Sequence, residues 1–192
     1  VSDNPQPNAF ATGRNPNNAA VCVTRGLLEA MNWDEVRGVL AHELAHIRNR
    51  DILIGSVAAA VAMGITFVAS MGRWALIFGG GQGGNSRDNP IGGLLMLILA
   101  PIAAAMIQMA ISRSREFEAD ASAARLLGTG EPLARALERL DDVAARVPSD
   151  VNPAEASNYI VNPLRGRQVT KLFSTHPPVE ERIVRLRTNA WS

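Results

Sequence analysis

"AHELAH", residues 41–46, places His42 and His46 four positions apart, with Glu43 directly after the first. On a helix, side chains four apart differ by about 40° in direction and share a face. The two imidazoles would then reach one ion together, with a carboxylate beside them. Whether this stretch is helical therefore decides both fold and chemistry, and its surroundings predict a helix. Asn32 with Glu35 three residues on matches a capping box, with Asn in the Ser/Thr place. Val36, Val39, Leu40, Leu44 and Ile47 follow at helical spacing.

Working outward, two long apolar runs come next. Ile52–Gly72 carries no charge over 21 residues, and Asn89–Ser112 none over 24. A helix of about 20 residues at roughly 1.5 Å per residue matches a hydrocarbon layer of about 30 Å, so each run is long enough to span a bilayer. Pro101 inside the second is tolerated in membrane helices. Between them "RWALIFGGGQGGNSRD" is rich in glycine but lacks the Lys-Ser/Thr ending of a phosphate loop, and reads as a flexible turn. The runs predict a transmembrane helical hairpin over 52–112; a buried hairpin in a soluble core is the alternative. Alanine and glycine enrichment suits close packing of membrane helices. Arg48, Arg50, Arg113 and Arg115 flank the outer ends, against Arg73 and Arg87 in the connection, so the positive-inside bias puts the flanking segments in the cytoplasm.

The remainder divides around that insertion, into 1–51 before it and 113–192 after it. "NAFAT" and "AAVCVT", joined by turn-rich "GRNPNN", predict a small β-hairpin. "SRSREFEADASAARLL" predicts a helix stopped by Gly128, and Pro132 opens another through Val147. Residues 148–163 read as loop, and the prolines after His176 start a closing helix.

Composition narrows the partners. With 19 basic and 18 acidic residues there is no electrostatic reason to expect nucleic acid. The single cysteine, Cys22, cannot form an internal disulfide, and a reducing setting is the default expectation. Val1 stands where a Met would, and no basic n-region precedes a cleavage site, which suggests a chain cut at its front and shows no signal peptide.

Histidine occurs only at His42, His46 and His176. The first two match the H-E-x-x-H pattern of zinc peptidases, in which the carboxylate takes a proton from water and passes it to the leaving amine. A catalytic zinc takes three protein ligands and leaves one position for water. An exposed helix with solvated histidines is the alternative for the six residues taken alone, so a third ligand is needed. Glu116 and Asp120 in "EFEAD" share a helix face. Glu116 could complete a His-His-Glu set while Asp120 holds a histidine's second ring nitrogen. The same pair also fits a solvated acidic face paired with Arg113 and Arg115. A hairpin would return His46 and Glu116 to one side at equal height, each about 7 to 9 Å along its helix from the membrane edge.

These segments, "NAFATG", "VTRGLLEAM", "VLAHELAHIRNRD", "SREFEADASA" and "THPPVEERI" in that order, resemble the HtpX-type membrane zinc metallopeptidases, which are related to the CAAX-prenyl endopeptidases. The resemblance covers nearly the whole chain. It implies a mainly α fold with a small β-sheet, an α+β zincin-like catalytic domain carrying the two-helix hairpin. It implies that His42, His46 and Glu116 bind one Zn2+, that Glu43 is the catalytic base, and that Asp120 supports a ligand. It further implies that Asn8, Ala9, Phe10, Ala11 and Thr12 form an edge strand along which a substrate lies extended. His176 would donate to the oxyanion, or serve only as a helix cap, and Arg182 would anchor its segment by a salt bridge. The resemblance also implies an additional pair of N-terminal membrane helices, which family members usually have and which would lie outside residues 1–192.

The expectation is a zinc metalloendopeptidase in the bacterial inner membrane, acting on membrane proteins or peptides beside the lipid bilayer at its cytoplasmic face, in quality control under stress. Two rivals stand beside it: a prenyl-protein endopeptidase, which would require a lipidated substrate cysteine, and a non-catalytic metal-binding membrane scaffold.

Overall fold

The computed structural model describes residues 1–78, 90–146 and 177–191. Among the described residues, two short strands and six helices follow in chain order: β1 (Ala9–Asn15), β2 (Asn18–Val23), α1 (Arg25–Ala30), α2 (Trp33–Arg48), α3 (Asp51–Phe78), α4 (Pro90–Leu127), α5 (Glu131–Arg146) and α6 (Val179–Arg187). The fold is mainly helical with one two-stranded antiparallel sheet.

Register in the sheet runs from Ala9 opposite Val23 through Phe10–Cys22, Ala11–Val21 and Thr12–Ala20. Because the Thr24 N–H donates to the Asn8 carbonyl, antiparallel alternation pairs the backbones of Phe10 and Thr12 with β2 and turns those of Ala9 and Ala11 to the outer edge. The far edge of β2 is occupied instead: Ser2 N–H donates to Val23 O at 2.9 Å. A bulge at Gly13 closes the hairpin, with φ +138° and a neighbour, Asn18 O, where a Cβ would stand.

The AHELAH segment lies in the second half of α2, and the expected capping box is formed: Glu35 N–H donates to Asn32 Oδ1 and Asn32 N–H to Glu35 Oε2, both at 3.0 Å. Asp34 and Glu35 in the first turn complement the positive end of the helix dipole. Gly38 lets α2 approach α5 closely, since a Cβ there would meet the Leu133 and Pro132 backbone. Val36, Val39 and Ala41 of α2 join Leu133, Ala134, Ala136, Leu137 and Leu140 of α5 in the core, with Leu27, Ala123, Ala124, Val179 and Leu186. Burial of such side chains contributes about 1.5–3 kcal/mol apiece for the larger ones.

Three boundaries differ from the sequence reading. α2 ends at Arg48, and Arg50, at φ 57°, turns the chain before α3 begins at Asp51. His46 and the first apolar run are therefore on separate helices, and the distance along a shared helix does not apply to it. α3 continues to Phe78, into the segment expected to be a turn. The apolar run after Pro90 and the helix carrying EFEAD are one helix, α4, with Pro101 inside it. The glycine-rich stretch 79–89, the loop 148–163 and His176 lie outside the described residues.

Two compact units divide the chain. One comprises Val1–Leu53 and Ser112–Ser192, and holds the sheet and the core just described; the other is Ile54–Ile111, whose described residues are helical. Among the described residues one helix is long and apolar enough to cross a bilayer, over Asp51–Met71, with mean hydropathy 2.3. Only 6% of that window is buried among the described residues, which leaves most of its apolar side chains exposed.

Candidate metal centre

His42 and Glu43 are buried on α2, and His46 is half-buried one turn on. The Nε2 atoms of His42 and His46 are 3.0 Å apart. Glu116 on α4 brings Oε2 to 3.6 Å from His42 Nε2 and Oε1 to 3.7 Å from His46 Nε2. One ligand atom from each of the three residues thus lies within 4.8 Å of the others.

This arrangement fits a tetrahedral ion. Bonds of about 2.0–2.2 Å to nitrogen and oxygen place two ligand atoms roughly 3.3 Å apart around zinc, close to the three separations seen. The two imidazoles also face each other through the same ring atom. Two lone pairs at that distance repel unless a proton or a metal ion sits between them, and the surroundings favour positive charge there. Burial works against a charged His42, but the carboxylates of Asp120 and Glu116 outweigh it and push its pKa up to about 10.

Each imidazole is held from behind. His42 Nδ1 lies 3.0 Å from Asp120 Oδ1, and His46 Nδ1 donates to Asp51 Oδ2 at 2.6 Å. A carboxylate on Nδ1 fixes the tautomer that presents Nε2 to a metal. Asp120 in turn accepts two bonds from Arg182, at 2.8 and 2.7 Å. Although burial would raise the Asp120 pKa, the Arg182 charge holds it below the ordinary range. Arg182 is fully buried, and its Nη1 also lies 3.3 Å from Glu116 Oε2. The alternative of a solvated acidic face is excluded for Glu116 and Asp120, both buried and partnered by Arg182. Arg115 donates instead to the Asp51 carbonyl, and exposed Glu118 pairs with Arg125 at 3.2 Å.

Glu43 occupies the other side of the motif. Burial raises its pKa above the ordinary carboxylate range, while the Ala11 N–H, turned outward from β1, donates to it and works the other way. The edge strand and the carboxylate next to the histidines are therefore in direct contact. Along that strand Asn8 and Ala9 are buried, Phe10 and Thr12 are exposed, and Asn8 is tied through its backbone to the Thr24 hydroxyl at 2.8 and 2.9 Å. A shallow depression of about 10 Å³, room for about one water molecule, lies beside His46, between Gly13, Asn15 and Ala19 of the hairpin and Ile47, Arg50 and Leu53.

The structure thus brings together His42, His46, Glu116, Asp120, Arg182, Glu43 and the strand from Asn8 to Thr12. Asp51 was missed by the sequence reading. Its only signal was an aspartate closing "HIRNRD", and the turn at Arg50 that aims it back was not foreseeable from periodicity.

The model of "Peptidase family M48" matches residues 1–190. A "Protease HtpX homolog" of Desulfatibacillum aliphaticivorans is 58% identical over 183 residues, covering 94% of this chain and 59% of that protein. One of the same name from Pelotomaculum thermopropionicum is 53% identical over 192 residues, covering 99% and 68%, and one from Aquifex aeolicus is 50% identical over 186, covering 94% and 62%. The chain spans 59% to 68% of the length of these relatives. The crystal structure of S. mikatae Ste24p shares the fold, with a TM-score of 0.58 at 24% identity, over 95% of this chain and 42% of that one. By the match along nearly its full length, the chain belongs to peptidase family M48.

Proposed function

We propose that the chain is the catalytic part of a membrane-bound, zinc-dependent endopeptidase that hydrolyses membrane proteins, or segments emerging from the membrane, at the cytoplasmic face of the bacterial inner membrane, in quality control under stress. The observation that carries this reading is the convergence of His42 Nε2, His46 Nε2 and the Glu116 carboxylate within 4.8 Å, with Glu43 beside them. The apolar helix over Asp51–Met71 supports the membrane location, and a second span over the run that ends in α4 completes the proposed hairpin. The HtpX name of the relatives supports the protease activity.

His42, His46 and Glu116 would hold the zinc, which when bound supplies Lewis acidity and lowers the pKa of a water to about 7. Asp120 and Asp51 keep the two imidazoles in the tautomer that binds. Glu43 takes the proton of the attacking water and delivers it to the leaving nitrogen, turning one carboxylate into base and then acid. Its burial favours the protonated form it must pass through. The outer edge of β1, through the Ala9 backbone and the Ala11 carbonyl, would offer main-chain partners to an extended substrate. His176 would donate to the oxyanion.

Glu43→Gln tests the mechanism, because it keeps the shape and removes the proton acceptor. Zinc content is expected to stay near one per chain while cleavage of casein falls at least about a hundredfold, the scale of a lost general base. Unchanged proteolysis would remove Glu43 from the mechanism.

A further inference from the structure

The two imidazoles of the centre are supported asymmetrically. The partner of His42, Asp120, lies on the same helix as Glu116, whereas the partner of His46 is Asp51, the first residue of α3. On a continuous helix a residue five positions after His46 would point about 140° away from it. Asp51 reaches His46 Nδ1 only because the chain leaves α2 at Asn49 and turns through Arg50, at φ 57°. That conformation is unfavourable for a residue with a Cβ and persists only where its surroundings hold it.

What holds it is visible on the α4 side. Arg115 donates a hydrogen bond to the backbone carbonyl of Asp51, and Arg115 immediately precedes Glu116. Asn49 adds a contact of 3.4 Å to Ser122, about two turns further along α4. The Asp51 carboxylate and the Glu116 carboxylate are thereby fixed to one another through the same stretch of α4, and both address His46, at 2.6 and 3.7 Å.

We propose that Asp51 is a positioning residue of the metal centre: it holds His46 with Nε2 turned to the ion, and Arg115 locks it to the helix that carries Glu116. The inference rests on His42, His46 and Glu116 being the ligands. Its consequence is that the start of α3 is part of the binding site rather than merely a connection to the apolar helix. Replacing the carboxylate leaves the imidazole free to rotate and to take the other tautomer, so zinc should be held less tightly even where the fold is unchanged.

The test uses the full chain in detergent, as wild type, Asp51→Ala and Asp51→Asn, with two readouts besides activity. Zinc affinity is measured by competition with a chromophoric chelator, and ligand geometry by the visible spectrum of the cobalt(II)-loaded protein. Asp51→Ala is expected to bind zinc about 10- to 100-fold more weakly and to shift the cobalt bands. Asp51→Asn, which keeps an oxygen to accept from Nδ1–H, is expected to fall between it and wild type. A residue serving only to start α3 would move neither readout at equal helical content. If Asp51→Ala does not fold, Asp51→Asn decides, since it has the same size. Variants that match wild type in both zinc affinity and cobalt spectrum overturn the inference while leaving the ligands in place. A wild-type chain that takes up no zinc overturns the ligand assignment itself, and this inference with it.

Discussion

Arg182 shows how much of the centre depends on single side chains. Its guanidinium is fully buried, bonded twice to Asp120 and adjacent to Glu116. A buried ion pair is not by itself strongly stabilising, but removing one partner leaves the other charges stranded in a low-dielectric interior, at about 3–5 kcal/mol. Arg182→Ala is therefore expected to destabilise the chain by that amount, and Arg182→Lys to recover little of it, because an ammonium cannot span Asp120 and reach Glu116 with fork geometry. Denaturant unfolding of the two variants checks both points, and a lysine variant as stable as wild type would refute the second. The contrast with Asp51 explains what a sequence can disclose at this scale. His42, His46, Glu116 and Asp120 were legible because each pair is separated by one helical turn, a property of sequence spacing alone. Asp51 depends on a left-handed residue at position 50, and no spacing rule announces one at an arginine.

At the scale of elements, what holds α6 against its neighbours differs from what holds the centre. Arg187 near the end of α6 bridges Glu138 and Glu131 of α5, at 2.7 and 3.1 Å. These groups are exposed and water weakens their attraction, so the pair contributes little beside the buried Leu137 and Leu186. Its pH dependence is nonetheless defined. The hydrogen bond from Arg187 lowers the Glu138 pKa below its ordinary value. A depressed carboxylate stabilises the fold above the unfolded pKa of about 4.3 and loses that contribution as pH falls through the folded value. The melting temperature of Glu138→Gln should accordingly lie slightly below wild type at pH 7, and the gap should close towards pH 3. A gap that persists unchanged in acid would show that the charge is not responsible. The helices themselves were readable where capping and period agreed, as in α2 with its Asn32–Glu35 box. They were misread where apolar composition continued past a boundary, as at Phe78, or where a polar segment continued an apolar helix, as in α4, because a residue's hydropathy reports its surroundings and not the hydrogen bonds of its backbone.

For the whole molecule, the proposed ligand set joins residues about seventy positions apart in sequence, on either side of the insertion 54–111, so an ion bound there would act as a cross-link between α2 and α4. A ligand that binds only the folded chain stabilises it by an amount set by its concentration over its dissociation constant, about 2.7 kcal/mol at a hundredfold excess. In a domain of this size each kcal/mol shifts the melting temperature by roughly 2–4 °C. Zinc at that excess should therefore raise the midpoint by roughly 5–10 °C, an added chelator should reverse the rise, and magnesium, which prefers six oxygen ligands to two imidazoles and a carboxylate, should give none. His46→Ala removes one ligand without touching the α2–α5 core and should abolish the zinc shift while leaving the metal-free midpoint nearly in place. The same three conditions applied to Glu43→Gln should reproduce the wild-type shift, since that side chain is not among the ligands. A zinc response that survives in His46→Ala would mean that the ion binds elsewhere, and the distances around Glu116 would then describe a buried ion-pair network instead of a metal centre.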